Sequence, residues 1–211
     1  ELLPDGATTT RLARWRLERA SLSMGLFVLF FGTRRQWPEV AHHTIAFAER
    51  HRELLADIFE RKHLAEDCSL YLHRPTASDP SFAPAGCDSF YVLCPVPNLE
   101  ADIDWEVEGP KLRDRIVETL ERSVLPGLAD DIATEFWMTP EDFRRDYASW
   151  RGAGFSIAPK FTQSAWFRFH NKAEGVDGLY HVGAGTHPGA GMPGVLLSAR
   201  VLDNLVAPVP A

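Results

Sequence analysis

The chain has 211 residues, 45% of them hydrophobic, so a core can be buried and wholesale disorder is excluded. Its formal net charge of -7, with basic residues scattered, excludes the basic stripe that tracking a nucleic-acid backbone requires. Three cysteines, Cys68, Cys87 and Cys94, leave one unpaired in any disulfide scheme, which favours a reducing, cytoplasmic setting.

The start, Glu1 to Thr10, is polar and lacks the apolar region of a signal peptide. Its first residue is Glu rather than Met, so truncation or cleavage is expected. Arg11, Arg14, Arg16 and Arg19 then alternate with Leu12, Trp15 and Leu17, a candidate membrane-surface contact. Met24 to Phe31 (MGLFVLFF) is apolar, aromatic and closed by Gly32, which predicts a buried strand. This longest apolar run falls well short of the ~20 residues that cross a bilayer. A protein that is soluble, or lies on a membrane surface, is expected.

A second strand is expected at Thr44 to Phe47, after the paired His42 and His43. Glu49 to Leu64 reads as an amphipathic helix with Leu54, Leu55, Ile58 and Phe59 on one stripe. Asp57 and Arg61 are spaced for an ion pair on its other side. Strands at Ser69 to His73 and Ser89 to Cys94 flank a proline-rich loop. Leu112, Ile116, Leu120 and Val124 recur every four residues, predicting a helix from Pro110 to Val124 that Pro126-Gly127 stops. Ile132 to Met138 reads as a strand. Thr139-Pro140-Glu141-Asp142 reads as a capped helix start.

From Arg151 glycines concentrate: Gly178, Gly183, Gly185, Gly189, Gly191 and Gly194. Leu179 to Val182 reads as a strand. Gly194 to Leu205 reads as a helix with Val195, Leu196, Ala199, Leu202 and Leu205 on its apolar face. The intervening GAGTHPGAGMP gives a tight turn whose backbone can approach a ligand, and a helix start that attracts negative charge. It does not fit G-x-G-x-x-G, because Pro188 occupies the third glycine's position, and that fingerprint occurs nowhere in the chain. By spacing alone, a plain strand-to-helix turn is an equal reading.

His187 is the titratable group inside this turn, and an imidazole there can relay a proton, although packing of the turn is the preferred role. His170 and Arg168 have similar standing, Arg168 more as an orienting or ion-pairing group. No metal site is expected: His42, His43, His51, His63, His73 and Cys68 lack ligand spacing, and an adjacent pair on a strand points to opposite faces. No G-x-S-x-G elbow supports a hydrolase. Phe27, Phe30 and Phe31 read as core, whereas Trp166 and Phe167 are better candidates for lining an apolar tunnel.

The stretch VGAGTHPGAGMPGVLLSAR, preceded by FSIAPKFTQSAWFRFHN, closely resembles the C-terminal signature of bacterial-type phytoene desaturases. MGLFVLFFGTRR, VAHHTIAFAERHRELL, SLYLHRPTASDPSFAPAGCDSFYVLCPVPNL and FWMTPEDFRRDY resemble that family too, so the likeness runs from Ser21 to Leu205. The resemblance implies an FAD-dependent oxidoreductase of carotenoid biosynthesis that withdraws hydrogen pairs from a C40 polyene, with hydride passing to the flavin. A related carotenoid dehydrogenase or isomerase, and a non-catalytic lipid-binding fragment, stand as alternatives.

The implied fold class is α/β: an α+β substrate domain over residues 1–150, then a segment, 151–211, of an FAD domain of the glutathione-reductase/amine-oxidase type. The family's N-terminal dinucleotide-binding half is absent, so this chain alone is expected to hold no FAD and to be inactive. Gly183, Ala184, Gly185, Thr186, Met192, Pro193 and Gly194 match the turn that closes on the flavin. Ala184 stands where the wider superfamily often has an acid, leaving backbone contacts only. A branched side chain at Gly185 is expected to intrude on the cofactor. Further expected partners are the isoprenoid substrate, a peripheral membrane contact and a second copy of the chain.

Overall fold

A computed structural model describes residues 10–206; the polar start at residues 1–9 and the last five residues lie outside the described residues. In chain order the regular elements are α1 (Arg11–Arg19), β1 (Gly25–Thr33), β2 (His43–Ala46), α2 (His51–Ala56), β3 (Leu70–His73) and β4 (Asp88–Val96). Then come α3 (Trp105–Ser123), α4 (Leu128–Asp131), β5 (Ile132–Met138), α5 (Pro140–Tyr147) and α6 (Met192–Asp203). The chain forms two compact units: Met24–Gly154, and the described residues 10–23 with 155–206.

The first unit is a five-stranded antiparallel sheet, ordered β2-β3-β4-β1-β5, with helices. Its apolar strand β1 is paired on both sides, so its backbone donors and acceptors are satisfied without water. Alternation sends Phe27, Leu29 and Phe31 into the core, against Leu112, Ile116 and Leu120 of α3. Each such side chain, fully buried, contributes about 1.5–3 kcal/mol.

Helix α3 begins at Trp105, not at Pro110, which lies inside it. The reason is the cap: the Asp104 carboxylate accepts from the Glu106 and Val107 amides, 3.1 and 3.3 Å away, so the first turn forms ahead of the proline. The helix expected over 49–64 is shorter. It runs as α2 and then widens into a π-helical turn, Asp57–Arg61, which still brings Arg61 to 2.6 Å from Asp57. The cysteines carry free thiols.

In the second unit residues 10–23 join 155–206, whereas the sequence reading kept them with the sheet. Side-chain bonds hold them: Arg16 pairs with Glu174 at 3.0 Å and donates to the Phe167 carbonyl, and the Ser21 amide donates to Gln163. The strand expected at Leu179 to Val182 does not form. One bridge joins Tyr180 to Lys172, flanked by the Ala173 N to Leu179 O and His181 N to Asn171 O bonds. Gly178 and Gly183, at φ 76° and 113°, turn the backbone at either end before a ladder can extend.

Helix α6 forms where expected, with Pro193 in its first turn, but its buried residue is Ser198. Val195, Leu196 and Leu205 are exposed. No helix among the described residues is long and apolar enough to cross a membrane.

One buried ion pair anchors the sheet unit. Asp88 accepts from Arg74 Nε at 2.9 Å, Thr76 Oγ1 at 2.6 Å and the Trp37 amide at 2.9 Å, and Arg74 also donates to the Val40 carbonyl. Asp88→Ala strands a buried guanidinium. Urea denaturation is expected to show a loss of about 3–5 kcal/mol for it, against less than about 1 kcal/mol for Glu118→Ala, whose pair with Arg122 is exposed.

Candidate functional site

The glycine turn of the second unit is held by buried polar groups rather than by a strand. Arg168 is 2% exposed, and its guanidinium meets four backbone carbonyls: Ala184 at 2.8 Å, Ile157 at 3.1 Å, Gln163 at 3.2 Å and Phe155 at 3.4 Å. Burial pushes its pKa down, yet a guanidinium stays charged across the physiological range. From the other side the Ser198 hydroxyl accepts from the Gly183 amide at 2.8 Å and donates to Val195 O at 2.6 Å. Asn171 donates to the His181 and Ser198 carbonyls, and the Thr186 hydroxyl to Gly183 O.

The glycines divide into two kinds. A Cβ on Gly185 would meet Ser156 Oγ at 2.9 Å, and one on Gly194 would meet Gly189 O at 2.6 Å, so these two serve close packing inside the unit. Gly183 (φ 113°) and Gly191 (φ 90°) instead face open space. A Cβ at Gly185 therefore meets Ser156 of the same unit. Helix α6 closes its first bond from Val195 N to Gly191 O, so the amides of Met192 and Gly194 precede any intrahelical acceptor. Met192 itself is exposed.

His187 is fixed by the turn. Its amide donates to the Phe169 carbonyl, and its Nδ1 stands 2.8 Å from the Ala165 carbonyl, which makes Nδ1 the protonated nitrogen. Nε2 is then an acceptor. Trp166 packs edge-on to both His187 and His170. Asn171 and Ser198 escaped sequence reasoning. Their signals were slight: an amide after an aromatic run, and one serine in an apolar helix pattern.

The sheet unit carries an apolar cavity of about 480 Å³, lined by Phe30, Phe82, Pro84, Tyr91, Thr134 and Phe136 among others. It lies on the sheet face opposite α3, because Phe30, Tyr91 and Phe136 hold non-core positions of paired strands. Phe30 stacks on Phe136 with ring centroids 4.6 Å apart. Phe30 is thus a cavity wall rather than core, and Trp166 and Phe167 of the second unit are exposed. Burial, then the Tyr71 hydroxyl, pushes the Tyr91 phenol up to about 12, keeping it neutral.

Farther along this face His42, His43 and His73 gather, each offering a ring nitrogen within 4.8 Å of the other two. The expectation that the adjacent pair points apart fails because His42 lies before β2 and escapes strand alternation. Register does the rest by setting His43 opposite His73. Burial, then the neighbouring His42 and His43, lowers the pKa of His73.

Replacing Arg168 tests the turn's support. Arg168→Lys supplies one ammonium for four carbonyls spread around a planar fork. It is expected to lose about 2–3 kcal/mol, read as a lower thermal midpoint, with Arg168→Ala losing more.

No family model matches the chain. The neurosporene-forming phytoene desaturase of Rhodobacter capsulatus is 49% identical over 207 residues, covering 93% of this chain and 40% of that protein. The lycopene-forming phytoene desaturase of Pseudescherichia vulneris is 53% identical over 191 residues, covering 90% and 39% respectively. That of Pantoea ananas is 51% identical over 192 residues, again covering 90% and 39%. The chain therefore spans about 40% of the length of these relatives. Along about nine-tenths of its length the chain is similar in sequence to these three phytoene desaturases.

Proposed function

We propose that this chain is the C-terminal portion of a carotenoid desaturase, an FAD-dependent oxidoreductase acting on CH–CH bonds of a long polyene. The observation that carries this reading is the 49–53% identity to three phytoene desaturases over about 90% of the chain. In this reading the second unit belongs to an FAD domain of the glutathione-reductase/amine-oxidase type, and the sheet unit to the substrate domain.

The glycine turn fits the flavin end of such a cofactor. Gly183 and Gly191 lack a Cβ where open space lies, so backbone can approach a flat ring closely. The α6 helix start supplies amides and a positive dipole end toward negative charge. FAD, when bound, supplies the hydride acceptor that no amino-acid side chain can provide. His187, with Nδ1 committed to Ala165 O, presents Nε2 as an acceptor for a proton lost from the substrate. The cavity beside Phe30, Tyr91 and Phe136 suits a hydrocarbon, since its polar atoms are few and the Tyr91 phenol stays neutral.

Membrane delivery of the substrate has a candidate contact in α1. Leu12, Trp15 and Leu17 are all about half exposed or more, and Arg11, Arg14 and Arg19 stand among them, whereas Arg16 is held by Glu174. Trp15→Glu is expected to reduce flotation with anionic liposomes several-fold; undiminished flotation removes α1 as the contact.

The activity is tested in a chimaera. Residues 21–205 of this chain replace the matching segment of the Pantoea ananas enzyme in a host that accumulates phytoene. Coloured polyenes and bound flavin are expected, and Gly183→Val in the chimaera is expected to lose most of its flavin. Persisting phytoene despite bound flavin removes the desaturase reading; full flavin in Gly183→Val removes the turn as a cofactor contact.

A further inference from the structure

We propose that His42, His43 and His73 form a binding site for one divalent transition-metal ion of the zinc type, clamping the edge of the sheet. The three imidazoles converge: ring centroids lie 4.3 Å apart for His42–His43, 4.7 Å for His42–His73 and 5.2 Å for His43–His73. His42 Nε2 stands 2.7 Å from His73 Nε2, a hydrogen bond in which one nitrogen carries the proton that a metal ion would displace. Two imidazole nitrogens on one tetrahedral zinc stand about 3.3 Å apart, given Zn–N bonds of about 2.0–2.1 Å. Binding requires that pair to part by roughly half an ångström and the third nitrogen, now within 4.8 Å of the others, to draw in.

The outer contacts are those that fix metal-bound imidazoles. Nδ1 of His42 bonds the Ser78 hydroxyl, and Nδ1 of His43 bonds the Tyr71 hydroxyl at 2.7 Å, which leaves Nε2 of both for a metal. His73 Nδ1 is buried and has no hydrogen-bond partner, so His73 is held by packing and by its Nε2 side alone. An all-nitrogen set suits zinc, nickel or copper and not calcium or magnesium, which take oxygen ligands. Three protein donors leave a fourth position for water. The ion would tie β2, the strand at the sheet edge, to β3 through the His43–His73 pair, where backbone pairing is only four residues long.

The test uses the 211-residue chain, purified without a histidine tag, freed of metal, and titrated with zinc against a chromophoric indicator. One zinc per chain is expected. His42→Gln, His43→Gln and His73→Gln should each weaken binding by about tenfold or more, while His63→Gln and His181→Gln bind as the parent does. Zinc should raise the thermal midpoint of the parent and of these two controls, but not of the cluster variants. Histidine NMR of the unmutated chain gives a second readout that no variant's folding can confound. Zinc should shift the signals of His42, His43 and His73 and no others. Equal binding by parent and cluster variants, zinc-induced shifts elsewhere, or no binding below millimolar zinc each overturns the site.

Discussion

Strand β1 is an apolar segment with neighbours on both edges and burial on nearly all of both faces. In a sheet with period-two side chains, that arrangement makes two apolar compartments at once. Phe27, Leu29 and Phe31 seal the core against α3, while Phe30 looks to the other face and becomes a wall of the cavity. The cavity is therefore a consequence of the strand that builds the core. Paired strands supply Phe30, Tyr91 and Phe136 to its walls, and the segment between β3 and β4 supplies Phe82 and Pro84.

Among the described residues each unit buries one guanidinium, and the two solutions differ. Arg74 is matched by the Asp88 carboxylate, which also ties down Thr76 and the Trp37 amide at the end of the cavity. Arg168 meets no carboxylate and is shared among four carbonyls of one unit, Ala184 of the turn included. A charge dispersed over backbone carbonyls joins Phe155, Ile157, Gln163 and Ala184 through one side chain. It suits a unit with little regular structure, where loops have no ladder to hold them.

The same economy governs the glycines of the turn. Gly185 and Gly194 let the turn pack on Ser156 and on its own helix start, while Gly183 and Gly191 face outward without side chains. Internal packing fixes the turn, and the outward pair leaves backbone bare. It is this bare backbone that the flavin proposal rests on.

Much of the fold was legible locally. MGLFVLFF favoured a buried strand over a helix, and the four-residue repeat of Leu112, Ile116 and Leu120 marked a helix face. The turn's glycines and Pro193 marked the start of α6, because positive φ and a missing amide are tolerated in few places. What local pattern could not supply were meetings between distant residues. His42 and His73, 31 positions apart, come together because β2 and β3 pair in one register; a one-residue slip would separate them. Arg16 reaches Glu174 across 158 positions and carries α1 into the second unit. Leu179 to Val182 had the residues of a strand, but the turns at Gly178 and Gly183 leave it a single bridge to Lys172. Periodicity and turn chemistry act within a few residues, so the sequence alone carried the elements and the turn. Register and long-range hydrogen bonding act across the chain, so only the tertiary structure decided the cavity, the buried cations and the histidine cluster.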